Sequence, residues 1–175
     1  MARYLAAIVT FSFVSILYSV GVVDSMASAP SLPANASEGR VTEEPAYVLP
    51  AVFKHGDCSW IPPVALAAGW KERQIPRLMH IIARESGCCP NRIGGSVVDA
   101  NCNITKMATM SHPSDSGLAQ INGVHWKKDH PQYTGLVCKQ MGVCEQGPLL
   151  DPYTNLKAAK LLHSVAGWQP WAVSN

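Results

Sequence analysis

Six cysteines constrain the fold of this 175-residue chain more than any other feature. Their number is even and all lie between residues 58 and 144: Cys58, Cys88, Cys89, Cys102, Cys138 and Cys144. No C-x-x-C pair occurs and no histidine has the spacing of a partner ligand, so a metal site is not indicated. An exported domain with this pattern is expected to form three disulfides. We expect Cys138 and Cys144 to close a small loop and the adjacent Cys88 and Cys89 to bond different partners, while the full pairing stays open.

The N-terminal residues indicate that the chain is exported. Arg3 precedes an uncharged run at residues 4–23, and a small-residue patch follows at residues 25–29. This is the pattern of a signal peptide with an A-x-A site, although Pro30 directly after the patch disfavours cleavage. The run is also about long enough to serve as an uncleaved anchor. Both alternatives predict a secreted or cell-envelope protein, and only the anchor predicts membrane contact through residues 4–23.

The composition divides the chain into three parts. Residues 1–29 form the leader, and residues 30–54, with four prolines among Ala, Ser and Glu, are expected to form a linker. Residues 55–175 hold the cysteines and the periodic apolar segments, which predict one small folded domain. With 15% charged residues and a formal net charge of +2, the chain lacks the composition of a nucleic-acid binder. We expect a monomer without a cofactor.

Two helices are marked by their caps. The first is predicted from Ile75 to Gly87, with Pro76 at its first turn and Ile75, Leu78, Met79 and Ile82 on its apolar face. The second is predicted from Asp151 to Gly167, with its apolar face at Leu156, Ala159, Leu162 and Val165. A shorter helix is expected near residues 62–69, and residues 88–114 are expected to form an irregular, cross-linked loop. The predicted fold class is mainly α, an α+β arrangement of a small helical domain with a short β or irregular lobe.

Glu85 is the carboxylate with the most informative position. It lies on the last turn of the first predicted helix, at the edge of the apolar face. Apolar surroundings favour the neutral form of a carboxyl group, which is how a protein keeps a general acid protonated near neutral pH. The alternative for this position is a salt-bridged or solvated glutamate at a helix end.

Three motifs in fixed order resemble the lysozyme superfamily. They are Glu85-Ser86-Gly87, the segment Ser-Gly-Leu-Ala-Gln-Ile-Asn at residues 116–122, and Asp-Pro-Tyr-Thr-Asn at residues 151–155. The order is most similar to that of transglycosylase SLT-type domains, and Gly-Trp-Gln-Pro-Trp at residues 167–171 resembles secreted actinobacterial or phage peptidoglycan-cleaving enzymes. The resemblance implies a lysozyme-like fold. It also implies that the substrate is a peptidoglycan glycan strand, cleaved at the β-1,4 bond between N-acetylmuramic acid and N-acetylglucosamine.

The resemblance assigns roles to individual positions. Glu85 matches the catalytic acid and Ser86 the serine beside it. Gln120 and Asn122 match the wall of the substrate cleft, and Tyr153 is a further wall position. From its place in a polar loop, we also expect Trp126 to contact the substrate.

Asp115 separates two versions of the chemistry. The run from Asp115 to Asn122 is similar to the D-x-G-x-x-Q-I-N run of animal-type lysozymes, in which the aspartate is a second catalytic carboxylate. Asp115 can instead cap the turn before Gly117. We therefore expect a lytic transglycosylase with one catalytic glutamate; the alternatives are a hydrolysing lysozyme that uses Glu85 and Asp115, or a non-catalytic glycan-binding relative.

Overall fold

The computed structural model describes residues 47–107, 114–129 and 134–172. They belong to a compact unit that spans Val41–Asn175. The predicted leader and most of the predicted linker lie outside the described residues. Tyr47 and Phe53, two residues of the predicted linker, pack against the hydrophobic core.

The described residues form a mainly helical domain with one small sheet. The helices are α1 (Ile61–Ala67), α2 (Ile75–Ser86), α3 (Gly123–Trp126), α4 (Leu136–Met141) and α5 (Pro152–Ala166). Strands β1 (Val97–Val98) and β2 (Ile104–Lys106) pair antiparallel within the loop that follows α2. Three 3-10 turns lie at Glu72–Gln74, Gly147–Leu150 and Gln169–Trp171. The mainly α prediction with a short β lobe is confirmed, and no helix among these residues has both the length and the apolar character to cross a bilayer.

Helix α2 forms as its sequence predicts. Pro76 lies in the first turn, and Gly87 ends the helix in the left-handed conformation with φ 60°. Leu78, Ile81 and Ile82 are buried together with Ser86, and α2 packs against α1. Glu85 thereby occupies the edge of the buried face.

Helix α5 begins at the predicted cap, because the Asp151 carboxylate accepts a hydrogen bond from the Thr154 N–H at 2.8 Å. Its buried face includes Leu156, Ala158 and Leu162. The prediction that Val165 belongs to this face is wrong, since Val165 is 67% exposed. It follows Leu156 by nine residues, and nine steps of about 100° bring it to the opposite side of the helix.

All six cysteines form disulfides, as predicted. The pairs are Cys58–Cys88, Cys89–Cys102 and Cys138–Cys144. The first two join the start of the domain and the β hairpin to the end of α2, and the third closes a short loop after α4. The Cys89–Cys102 bond ties the turn of the hairpin to the end of α2, and the three bonds leave no thiol for catalysis.

Candidate active site

Glu85 lies at the surface in an ion pair. Its side chain is 27% exposed, and its Oε1 is 2.6 Å from Nη2 of Arg84. The same guanidinium donates a second hydrogen bond, of 2.8 Å, to the backbone carbonyl of Trp171. The salt-bridged alternative for Glu85 is therefore the one observed, and the carboxyl faces a cation in place of purely apolar surroundings.

Glu85 and Arg84 line one side of a surface cavity of about 300 Å³. Pro170, Trp171 and Ala172, from the 3-10 turn after α5 and the residue beyond it, form the other side. Ligand sites in proteins begin at about this volume, so one sugar ring with a substituent is a suitable occupant. Glu85 is the only carboxylate among the described residues that line this cavity.

Trp171 connects this cavity to the segment at residues 116–122. Trp171 is 8% exposed, and its indole N–H donates to the carbonyl of Ala119 at 2.9 Å. The backbone carbonyl of the same residue accepts from Arg84. Trp171 therefore bonds the end of α2 through its backbone carbonyl and the 116–122 segment through its indole.

The 116–122 segment is a tight turn whose ends pair through Ser116 and Ile121. At its tip, Gln120 adopts a left-handed conformation with φ 46°. The Gln120 side-chain amide donates to the carbonyls of Arg92 and Gly117 at 3.0 and 2.8 Å. The amide nitrogen therefore stabilises the turn, and the amide oxygen is the atom of this side chain left to meet a ligand.

Gln120, Asn122 and His125 line a second, smaller cavity of about 30 Å³. This volume fits a water molecule or one small polar substituent, and it is too small for a sugar ring. Pro170 and Trp171 belong to the walls of both cavities. The structure thus brings the Glu85 position and the Gln120–Asn122 positions to two cavities with a common wall.

Asn155 joins the two motifs that the sequence placed far apart. It is fully buried, and its amide donates to the carbonyls of Ser116 and Leu149, both at 2.8 Å. Its side-chain oxygen accepts from the N–H of Ala119 at 2.9 Å. The sequence analysis assigned this residue no role, although a polar side chain on the apolar face of α5 is a signal for a buried hydrogen-bonding position.

Asp115 is bonded to the wall of the smaller cavity. Its carboxylate accepts a hydrogen bond from the Asn122 side-chain amide. The Asn122 side-chain oxygen in turn caps α3 by accepting from the Val124 N–H at 3.0 Å. Through this bond, the Asp115 carboxylate orients the side chain that caps α3.

His125 is a further titratable residue of the smaller cavity, and the sequence analysis gave it no role. Its side chain is half-buried, and burial lowers the pKa of the imidazole, an effect that the nearby Asp115 carboxylate opposes. The lowered pKa favours the neutral ring, which can donate from one nitrogen and accept at the other.

The three remaining predicted site residues lie elsewhere. Ser86 is fully buried, and its hydroxyl donates to the Ile82 carbonyl at 3.1 Å, so it has no surface for a ligand. Trp126 is 8% exposed, and its indole N–H bonds the carbonyls of Ser114 and Ile121, which places the ring in the core. Tyr153 stacks on Tyr47 with ring centroids 6.1 Å apart. None of the three lines either cavity.

No protein-family model matches this chain, and no curated protein matches it. Across residues 47–107, 114–129 and 134–172, no group of three or more His, Cys, Asp or Glu side chains is placed to hold a metal ion.

Proposed function

We propose that this chain is an exported glycosidase with a lysozyme-like fold that cleaves the β-1,4 bond between N-acetylmuramic acid and N-acetylglucosamine, with Glu85 as the catalytic acid. One observation supports this most strongly. Glu85 and the Gln120–Asn122 positions line two cavities that share Pro170 and Trp171. Buried Asn155 links the second and third motifs through three hydrogen bonds. The first two motifs thus meet at one surface, and the third supports the second from the interior.

The proposed reaction is that of a lytic transglycosylase. The Glu85 carboxyl donates a proton to the glycosidic oxygen as the bond to the muramic acid C1 breaks. Its carboxylate then accepts the proton of the C6 hydroxyl of the same sugar, whose oxygen bonds C1 and closes a 1,6-anhydro ring. One carboxyl group acts as acid and then as base. Among the described residues that line the larger cavity, Glu85 is the single carboxylate, which supports this version.

Two alternatives have supporting observations. In a hydrolysing lysozyme, Asp115 would be a second carboxylate, and its bond to Asn122 places it beside the smaller cavity. A non-catalytic glycan-binding relative would need no free acid, and the ion pair between Arg84 and Glu85 is compatible with that role.

We further propose a secreted or cell-envelope location and a monomer. Three disulfides require an oxidising compartment to form and persist. They suit an enzyme that meets cell-wall glycan outside the cytoplasm.

The test is a product analysis. The full chain, expressed into an oxidising compartment, is incubated with purified peptidoglycan, and the soluble products are identified by mass spectrometry. We expect muropeptides with 1,6-anhydro ends from the wild type and from Asp115→Asn, and none from Glu85→Gln. Products with reducing ends that disappear in Asp115→Asn would establish the hydrolase instead. Binding to the wall without any cleavage product would establish the non-catalytic alternative.

A further inference from the structure

Arg84 is the only cation among the described residues lining the larger cavity. One guanidinium nitrogen, Nη2, bonds both the Glu85 carboxylate at 2.6 Å and the Trp171 carbonyl at 2.8 Å. Its Nε lies 3.3 Å from the same Glu85 oxygen. The guanidinium is therefore held by the backbone and the carboxylate together, with one edge toward the proposed acid.

The ion pair is open to replacement of the Glu85 carboxylate by another carboxylate. Arg84 and Glu85 are 39% and 27% exposed, and ion pairs with this access to solvent are weak. A planar guanidinium prefers a bidentate carboxylate, so a carboxylate that enters the cavity can compete for it. The bond from Nη2 to the Trp171 carbonyl does not involve Glu85, so it can hold the guanidinium when the carboxylate partner changes.

We propose that Arg84 binds a carboxylate of the substrate beside the bond that is cleaved, and that this binding releases Glu85 from its ion pair. The inference rests on the proposed function, since it names the substrate class that the Glu85 cavity selects. The fitting ligand is a β-1,4 glycan with a free carboxylate on an N-acetylated sugar. In a glycan strand of peptidoglycan, that group is the lactyl carboxylate of a muramic acid without its peptide.

The exchange couples substrate selection to proton transfer. A carboxylate ligand satisfies the guanidinium, and Glu85 then turns toward the glycosidic oxygen. A neutral ligand leaves Arg84 bonded to Glu85, so Glu85 stays in the ion pair and does not protonate the glycosidic oxygen. Arg84 is on this account a specificity residue, and its effect depends on the charge of the substrate.

Peptide-free oligomers of alternating N-acetylglucosamine and N-acetylmuramic acid supply a direct test. One sample keeps its lactyl carboxylates and the other has them converted to amides, so the two differ only in charge. The full chain is compared with Arg84→Gln and Arg84→Lys by initial rates of cleavage. Arg73→Gln, at an exposed arginine of the first 3-10 turn, is the matched control.

We expect the wild type to cleave the carboxylate form about tenfold faster or more than the amide form, the effect of one charge-assisted hydrogen bond. Arg84→Gln should reduce that ratio to near one. Arg84→Lys should give an intermediate ratio, because it keeps the charge and loses the planar geometry. Arg73→Gln should keep the wild-type ratio.

Two results would overturn the inference. One is a wild-type enzyme that cleaves both forms equally well. The other is an Arg84→Gln variant that loses activity on both forms by the same factor, as a merely structural residue would cause. A separate outcome concerns the proposed function: full wall-cleaving activity in Glu85→Gln would remove Glu85 as the acid, whatever the two oligomers show.

Discussion

Replacing Asn155 by aspartate is the sharpest test of how the candidate site is held together. The change keeps the size of the side chain and converts its donor nitrogen into an acceptor oxygen. In the native structure that nitrogen donates to two buried carbonyls, those of Ser116 and Leu149. In the variant, a buried oxygen would face both carbonyls, and the turn that contains Gln120 would lose its support.

The expected loss in the free energy of unfolding follows from the three hydrogen bonds of the Asn155 side chain. In Asn155→Ala, three backbone groups lose their partner, at about 1 kcal/mol each or more, so a loss of at least about 3 kcal/mol is expected. In Asn155→Asp, protonating the carboxyl at pH 7 so that it can donate costs about 4 kcal/mol, and one carbonyl still stays unpaired. The isosteric variant should therefore be less stable than the alanine variant.

Urea unfolding followed by tryptophan fluorescence measures both changes, with the midpoint expected to fall at an unchanged slope. The control is Asn101→Asp, the same substitution at an exposed side chain, which should stay within about 0.5 kcal/mol of the wild type. If Asn155→Asp proved as stable as the wild type, the amide would not be the donor that holds the turn, and the assignment of Asn155 would be abandoned.

Three further predictions concern stability. Gly117→Ala should destabilise the fold by about 2 kcal/mol more than Gly142→Ala. Both glycines have a φ near +70°, so the backbone strain is the same in the two variants. A Cβ at Gly117 would collide with a backbone oxygen, whereas a Cβ at Gly142 meets nothing within 4 Å. Urea midpoints of the two variants check this, and equal losses would contradict the close packing. Removing the Cys58–Cys88 disulfide, which spans 30 residues, should lower the free energy of unfolding by about 3–4 kcal/mol in the same assay; a loss below about 1 kcal/mol would contradict it. Burial and two nearby cations lower the pKa of His163 in the folded protein. The folded state is therefore favoured at pH values above the pKa of the unfolded chain, about 6.5, and this stabilisation is lost as the pH falls through the pKa of the folded state. Unfolding free energies measured from pH 7.5 to 5 should decrease less in His163→Gln than in the wild type, and parallel curves would refute this.

The features predicted correctly from the sequence are the local ones. Helices α2 and α5 have caps and apolar periodicity within a single stretch of sequence, and the Cys138–Cys144 bond joins residues six positions apart. Helices α3 and α4 were missed because four and six residues are too few to show a helical period. Val165 was misplaced because a strict three-residue step drifts around the helix.

The arrangement of the candidate site depends on contacts between distant residues, and for that reason the sequence did not show it. The bond from Arg84 to the Trp171 carbonyl spans 87 positions, and the bond from Trp171 to Ala119 spans 52. The motif order indicated Glu85, Gln120 and Asn122, and these residues do line the two cavities. Tertiary packing decides whether a polar or aromatic residue lies in a cleft or in the core, and it buries both Ser86 and Trp126.

The rate at which Glu85→Gln releases soluble fragments from purified peptidoglycan tests the central claim most directly. The substitution keeps the shape of the side chain and removes the proton that the reaction needs. The loss of a general acid predicts a rate about 100 to 10,000 times lower than that of the wild type, with the fold retained by circular dichroism. A Glu85→Gln variant that releases fragments at the wild-type rate would contradict the account.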